Sequence, residues 1–236
     1  MRWMFRIVPV AMLLMLMAFP AQADDAEPTL KTITSARQAN IFMHNGKPID
    51  YCQFTFENYN RAYGVCHTVA DLPEFEYVTG DLYEEVYYDG TAYVRFRDEA
   101  TWYSMPDETY DPAMTVEQAY RNYITPPFTL TNLGKTRTIN GVAVNQYQYW
   151  HGQSWRFPDS PVTGAHDLFV TDDGWLLGFA NSWTGTFPVS DPGVIHLFIS
   201  FSDINQPLKV YKPDPAKVKP ATSAMFLRSK LIRRSR

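Results

Sequence analysis

Five histidines and two cysteines are the side chains of this 236-residue chain best suited to chemistry. His44, His67, His151, His166 and His196 are scattered, without the close spacing that lets one element present two metal ligands. The nearest approach to a metal cluster is His166-Asp167 followed by Asp172-Asp173, yet Asp172-Asp173-Gly174 is fully explained as a hairpin turn. His196 alternates with apolar residues, which puts it on the outer face of a strand. Glu84-Glu85 and the pair Glu74 and Glu76 read as a solvated face. There is no Gly-x-Ser-x-Gly elbow, His-Glu-x-x-His, phosphate loop or dinucleotide fingerprint. We therefore expect no catalytic residue, no metal and no cofactor.

The cysteines carry a different chemistry. Cys52 and Cys66 are 14 residues apart, an even pair that reads as a structural disulfide in an oxidising compartment. A redox-active pair is the alternative, but such pairs usually sit two residues apart. Gln53 to Glu57 and Ala62 to Val65 look like two strands joined around Asn58-Tyr59-Asn60. In that register Cys52 faces Cys66, Phe54 faces Gly64 and Phe56 faces Ala62, all on one face.

The elements that must position these residues are strands. Aromatics make up 15% of the chain and there are 17 prolines, a strand-rich and turn-rich composition. Asp89-Gly90 joins Glu85–Tyr88 to Ala92–Arg97, and Asn140-Gly141 joins Lys135–Ile139 to Val142–Trp150. Asp167–Thr171 and Trp175–Ala180 flank the Asp172-Asp173-Gly174 turn, and Val194–Phe201 is the last strong strand. Leu208-Lys209-Val210 adds a short terminal strand. A helix is expected from Thr115 to Ile124, with Thr115 as N-cap and Pro126-Pro127 as its stop. The fold class is mainly β: one curved antiparallel sheet with one or two short helices.

The N-terminus directs the domain out of the cytoplasm. Arg2 and Arg6 precede an apolar run from Ile7 to Phe19, and Ala21-Gln22-Ala23 is a small-x-small cleavage box. Residues 1–23 are thus expected to be a signal peptide. The run is 13 residues long, short of the ~20 that span a bilayer. No cysteine stands near the cut, so a lipid anchor is not expected and the mature protein should be soluble. Residues 24–213 form the domain, beginning with a loose polar lead to Thr34.

Charge divides body from tail. From Asp24 to Leu208 there are 10 Lys/Arg against 24 Asp/Glu; from Lys209 onward there are nine against one. The acidic body argues against nucleic-acid binding, which needs clustered Lys/Arg. Residues 214–236 read as a proline-containing basic tail. A disordered, solvated tail is the plain reading. Contact of Arg228, Lys230, Arg233, Arg234 and Arg236 with an anionic membrane is the sharper one, and docking on the acidic body is a third.

Four segments in a shared order resemble the LolA/LppX-like superfamily. They are Asp89 to Arg95 leading to Thr101-Trp102-Tyr103; Thr138 to Val144 into Gln146-Tyr147-Gln148-Tyr149; Leu168 to Leu177; and Phe201 to Val210 with Lys212-Pro213. The resemblance covers roughly Tyr83 to Pro213. It implies a half-open β-barrel whose concave face holds the helices and an apolar cavity. It also implies a carrier of lipid or of the acyl chains of a lipoprotein, working without chemistry. The chain departs from that pattern in lacking the lipobox cysteine of many members, and in having the basic tail and the hairpin disulfide. No ligand role transfers by motif. Strand alternation alone gives the expected cavity lining: Val94, Phe96, Leu168, Val170, Leu177, Ile195, Leu197, Ile199 and Phe201. An envelope sensor or protein-interaction module is the alternative function. A secreted hydrolase built on His151 or His166 is the weakest reading.

Overall fold

A computed structural model describes residues 28–71, 79–96, 99–106, 130–151, 163–185 and 193–221. They form twelve strands: β1 (Ala36–His44), β2 (Lys47–Asn58), β3 (Arg61–Thr68), β4 (Leu82–Tyr88), β5 (Thr91–Phe96), β6 (Trp102–Pro106), β7 (Thr131–Ile139), β8 (Val142–His151), β9 (Thr163–Val170), β10 (Leu176–Gly185), β11 (Gly193–Ser202) and β12 (Val218–Pro220). Among the described residues the only helical element is a single 3-10 turn, Pro215–Lys217. The helix expected at Thr115–Ile124 lies outside the described residues, as do the signal segment and residues 222–236.

Local turn chemistry sets much of the pairing. Asn45-Gly46, Asp89-Gly90 and Asn140-Gly141 each close a two-residue hairpin with both residues at positive φ. That conformation matches the right-handed twist of the strands, and Asn, Asp and Gly tolerate it best.

The strands make one curved, unclosed sheet in the order β12-β6-β5-β4-β3-β2-β1-β11-β10-β9-β8-β7. Two meanders, β1 to β6 and β7 to β11, are joined where β11 pairs antiparallel with β1. Bulges interrupt the ladders at Phe42/Met43, Phe56/Asn58 and Leu176/Gly178, and twice in β7. An extra residue on one strand bends it and increases its twist, which curls a long sheet toward a half-barrel.

The two ends of the domain differ from expectation. The strand expected at Leu208–Val210 does not form. The segment instead crosses the outer face, with the Val210 N–H turned to a side chain rather than to a neighbouring strand. There Val210 is buried with Val86, Tyr93 and Trp102, and its N–H donates to Glu57 at 3.0 Å. The last strand among the described residues comes eight residues later, and there β12 pairs parallel with β6 while the other described pairs are antiparallel.

The N-terminal lead is pinned as well. Asn205, at φ 57°, accepts from the N–H and hydroxyl of Thr34 at 2.8 and 3.0 Å and donates to the Thr32 carbonyl at 3.1 Å. This clamp delivers Ile33, fully buried, into the core.

Candidate ligand-binding face

The concave side of the sheet is built from alternating positions on nine or more strands. Its apolar half centres on β11, where Ile195, Leu197, Ile199 and Phe201 are buried while the residues between them are half-buried. Leu168 and Val170 of β9 join the same cluster. Six of the nine residues expected to line a cavity are thus brought together. Ile33, Ala36, Leu130, Leu176, Phe179 and Trp183 complete the cluster without having been expected there.

Leu177 departs from the expectation. A bulge sets two residues of β10, Leu176 and Leu177, against Val170 of β9, so the alternation slips by one. Leu176 then points into the main cluster. Leu177 packs on the outer face with Ile139, Val144 and Phe169. β10 also runs on to Gly185 rather than ending at Ala180, which is why Asn181 and Trp183 escaped notice. The signal was present: once the bulge is allowed, Phe179, Asn181 and Trp183 follow with period two.

Val94 and Phe96 belong to the other half of the concave side. Phe96 is partly buried against a cluster of Cys52, Phe54, Phe56, Ala62, Cys66, Tyr83, Tyr87 and Ala92. Val94 is buried and lies opposite Glu85 in register. The β2–β3 register is the expected one, with Cys52 opposite Cys66 in a disulfide, Phe54 opposite Gly64 and Phe56 opposite Ala62. The Phe54 ring occupies the space that a side chain at position 64 would need.

This half contains two buried carboxyl groups. Glu85 is 1% exposed and accepts from the Tyr87 hydroxyl at 2.7 Å. Asp50 accepts from the Thr68 hydroxyl at 3.1 Å, and its other oxygen lies 3.2 Å from the Cys52 sulfur. Burial pushes the Asp50 carboxyl up to about 7; the Thr68 bond opposes that shift, and repulsion from Glu85 and Asp81 adds to it. Glu84 and Glu85, expected as one solvated face, are split by the pleat. Glu84 faces out to Tyr63 and Arg95, whereas Glu85 faces in. Between the two halves, Gln38 of β1 donates to Asn40 at 2.6 Å.

At the rim, Leu82, Tyr83, Glu84, Arg95, Phe96, Glu99 and Ala100 line a half-open groove of about 420 Å³.

Several side chains singled out in the sequence for possible chemistry have partners among the described residues. Asp50, Cys52 and Cys66 lie close enough to hold a metal, but the sulfurs are bonded to each other and have no thiolate to offer. His166 turns inward, edge-on to Trp183, while Asp167 accepts from Gln146 and Gln148. Asp172 and Asp173 sit in the exposed turn with Lys135 and Lys31. The four residues of the metal-like cluster are therefore dispersed. Ser182 and His196 touch at 2.8 Å as cross-strand neighbours on the outer face, as expected for His196. The side chain of His151 and the tail residues Arg228, Lys230, Arg233, Arg234 and Arg236 lie outside what is described.

Together these features define an open half-barrel with a buried, largely apolar concave side. No protein-family model matches the sequence, and no curated protein matches it. Among solved structures, the chain is similar to LprF from Mycobacterium bovis, with 14% identity and a TM-score of 0.49 over 77% of this chain and 90% of that one. It is also similar to a LolA-superfamily protein from Nitrosomonas europaea, with 10% identity and a TM-score of 0.27 over 83% and 94% of the respective chains. At these values neither similarity transfers a ligand, cargo or residue role.

Proposed function

We propose that this chain is a soluble, exported carrier that binds lipid, or the acyl chains of a lipid-modified protein, on its concave side without chemistry. The observation that carries this reading is the continuous buried cluster contributed by β9, β10 and β11 on one side of a sheet that does not close. Acyl chains gain about 25 cal/mol per Å² of apolar surface removed from water, before association costs. The disulfide fits an oxidising compartment such as a periplasm or the extracellular space.

The test is native mass spectrometry of the full chain purified from membrane-containing cells, followed by lipid extraction. Acyl ligands should co-purify with the wild type and be lost from Leu197→Arg, which places a charge in the apolar cluster. Wild-type protein that never carries or takes up acyl compounds would overturn the reading.

A further inference from the structure

One residue of the apolar cluster's own face is out of keeping with its surroundings. Asn181 of β10 is 0% exposed, and neither its Oδ1 nor its Nδ2 has a hydrogen-bond partner among the described residues. Along the strand it lies between Phe179 and Trp183, and across the sheet it pairs with Leu197 on one side and His166 on the other. Phe179, Trp183 and Leu197 belong to the buried apolar cluster, so the amide points to the concave side. A buried amide without partners is unfavourable, because its lost hydration is not replaced. A protein has little reason to keep one in an apolar wall unless a bound group completes it.

We propose that Asn181 is the polar anchor of the lipid site, and that its ligand is an uncharged acyl ester bearing a free hydroxyl, of the acylglycerol class. This inference rests on the carrier reading above. The amide offers one acceptor and a pair of donor hydrogens. A hydroxyl beside an ester carbonyl supplies the matching donor and acceptor. Among the described residues, its neighbours along and across the strands are Phe179, Trp183, Leu197 and His166, none of which bears an ammonium, guanidinium or carboxylate. Against these four side chains a phosphate or ionised carboxylate would bury its charge without a fixed counter-charge, which is far costlier than burying a neutral ester. From Leu197, opposite the anchor, the apolar row continues through Ile199 to Phe201, about 13 Å at strand rise. The acyl chain lies along that row, with its head at Asn181.

The experiment measures binding of 1-monopalmitoylglycerol and of hexadecane, each delivered from cyclodextrin, to the full chain and to Asn181→Leu. Wild type should bind monopalmitoylglycerol about tenfold or more tightly than Asn181→Leu does, the loss typical of a buried hydrogen-bonded group. Hexadecane should bind both proteins alike. On the wild type alone, methyl palmitate, which lacks the hydroxyl, should bind several-fold more weakly than monopalmitoylglycerol, a comparison that needs no variant. Equal binding of monopalmitoylglycerol by the two proteins, or equal binding of the two esters by the wild type, overturns the anchor and leaves the carrier reading intact. That is the result if a buried water satisfies the amide. Failure of the wild type to bind any of the three compounds overturns the carrier reading and the anchor with it.

Discussion

Asp50 Oδ2 lies 3.2 Å from the Sγ of Cys52, a sulfur already bonded to Cys66. An oxidised sulfur has no hydrogen to donate, so the contact favours a carboxyl that keeps its own proton. Burial and the neighbouring carboxylates act in the same direction and push the group up to about 7. The folded protein therefore holds this proton more tightly than the unfolded chain, whose aspartates titrate near pH 4. The stability contributed by Asp50 is complete below about pH 4 and is lost as the pH rises to about 7.

Asp50→Asn should remove that dependence. Its urea midpoint should match the wild type near pH 4 and exceed it at pH 8, with a gain of at most about 4 kcal/mol. Denaturation curves at intervals from pH 4 to pH 8 check this. A wild-type midpoint that is level across the range would contradict the assigned environment.

The disulfide closes a loop of sequence separation 14 between directly opposed residues of β2 and β3. Replacing both cysteines by serine should cost about 3 kcal/mol of stability, mainly through the freedom regained by the unfolded chain. Addition of reductant to the wild type should produce a similar fall in the thermal midpoint.

Gly64 leaves room for the Phe54 ring that lies across it. Gly64→Val should destabilise the hairpin by about 1–3 kcal/mol through overpacking. Combining it with Phe54→Ala should recover part of that loss, which a double-mutant cycle would read as a favourable coupling. Strict additivity would show that the two side chains do not compete for this space.

Leu168 and Leu177 separate the two sides of the sheet. Leu168→Ser and Leu177→Ser should both lower stability, since each removes apolar packing. Only Leu168→Ser should also lower the amount of acyl ligand recovered after purification. An equal loss from Leu177→Ser would place the ligand on the outer face.

The sequence by itself determined the local devices of this protein. Asp89-Gly90 and Asn140-Gly141 dictate their hairpins because few other residues accept positive φ at both positions. Alternation in β11 identified its buried face, and the spacing of Cys52 and Cys66 was enough to align β2 with β3. β1 was not legible, because its inward positions include Gln38 and Asn40, which satisfy each other only when the sheet brings them inside. Tertiary structure alone decided which face Leu177 takes, since a bulge is settled by pairing with β9 rather than by residue type. It alone also turned Glu85 inward from Glu84 and enclosed Asn181 between Phe179, Trp183, Leu197 and His166. A polar residue in a sequence carries no mark of burial; the strands paired beside it determine whether water can reach it.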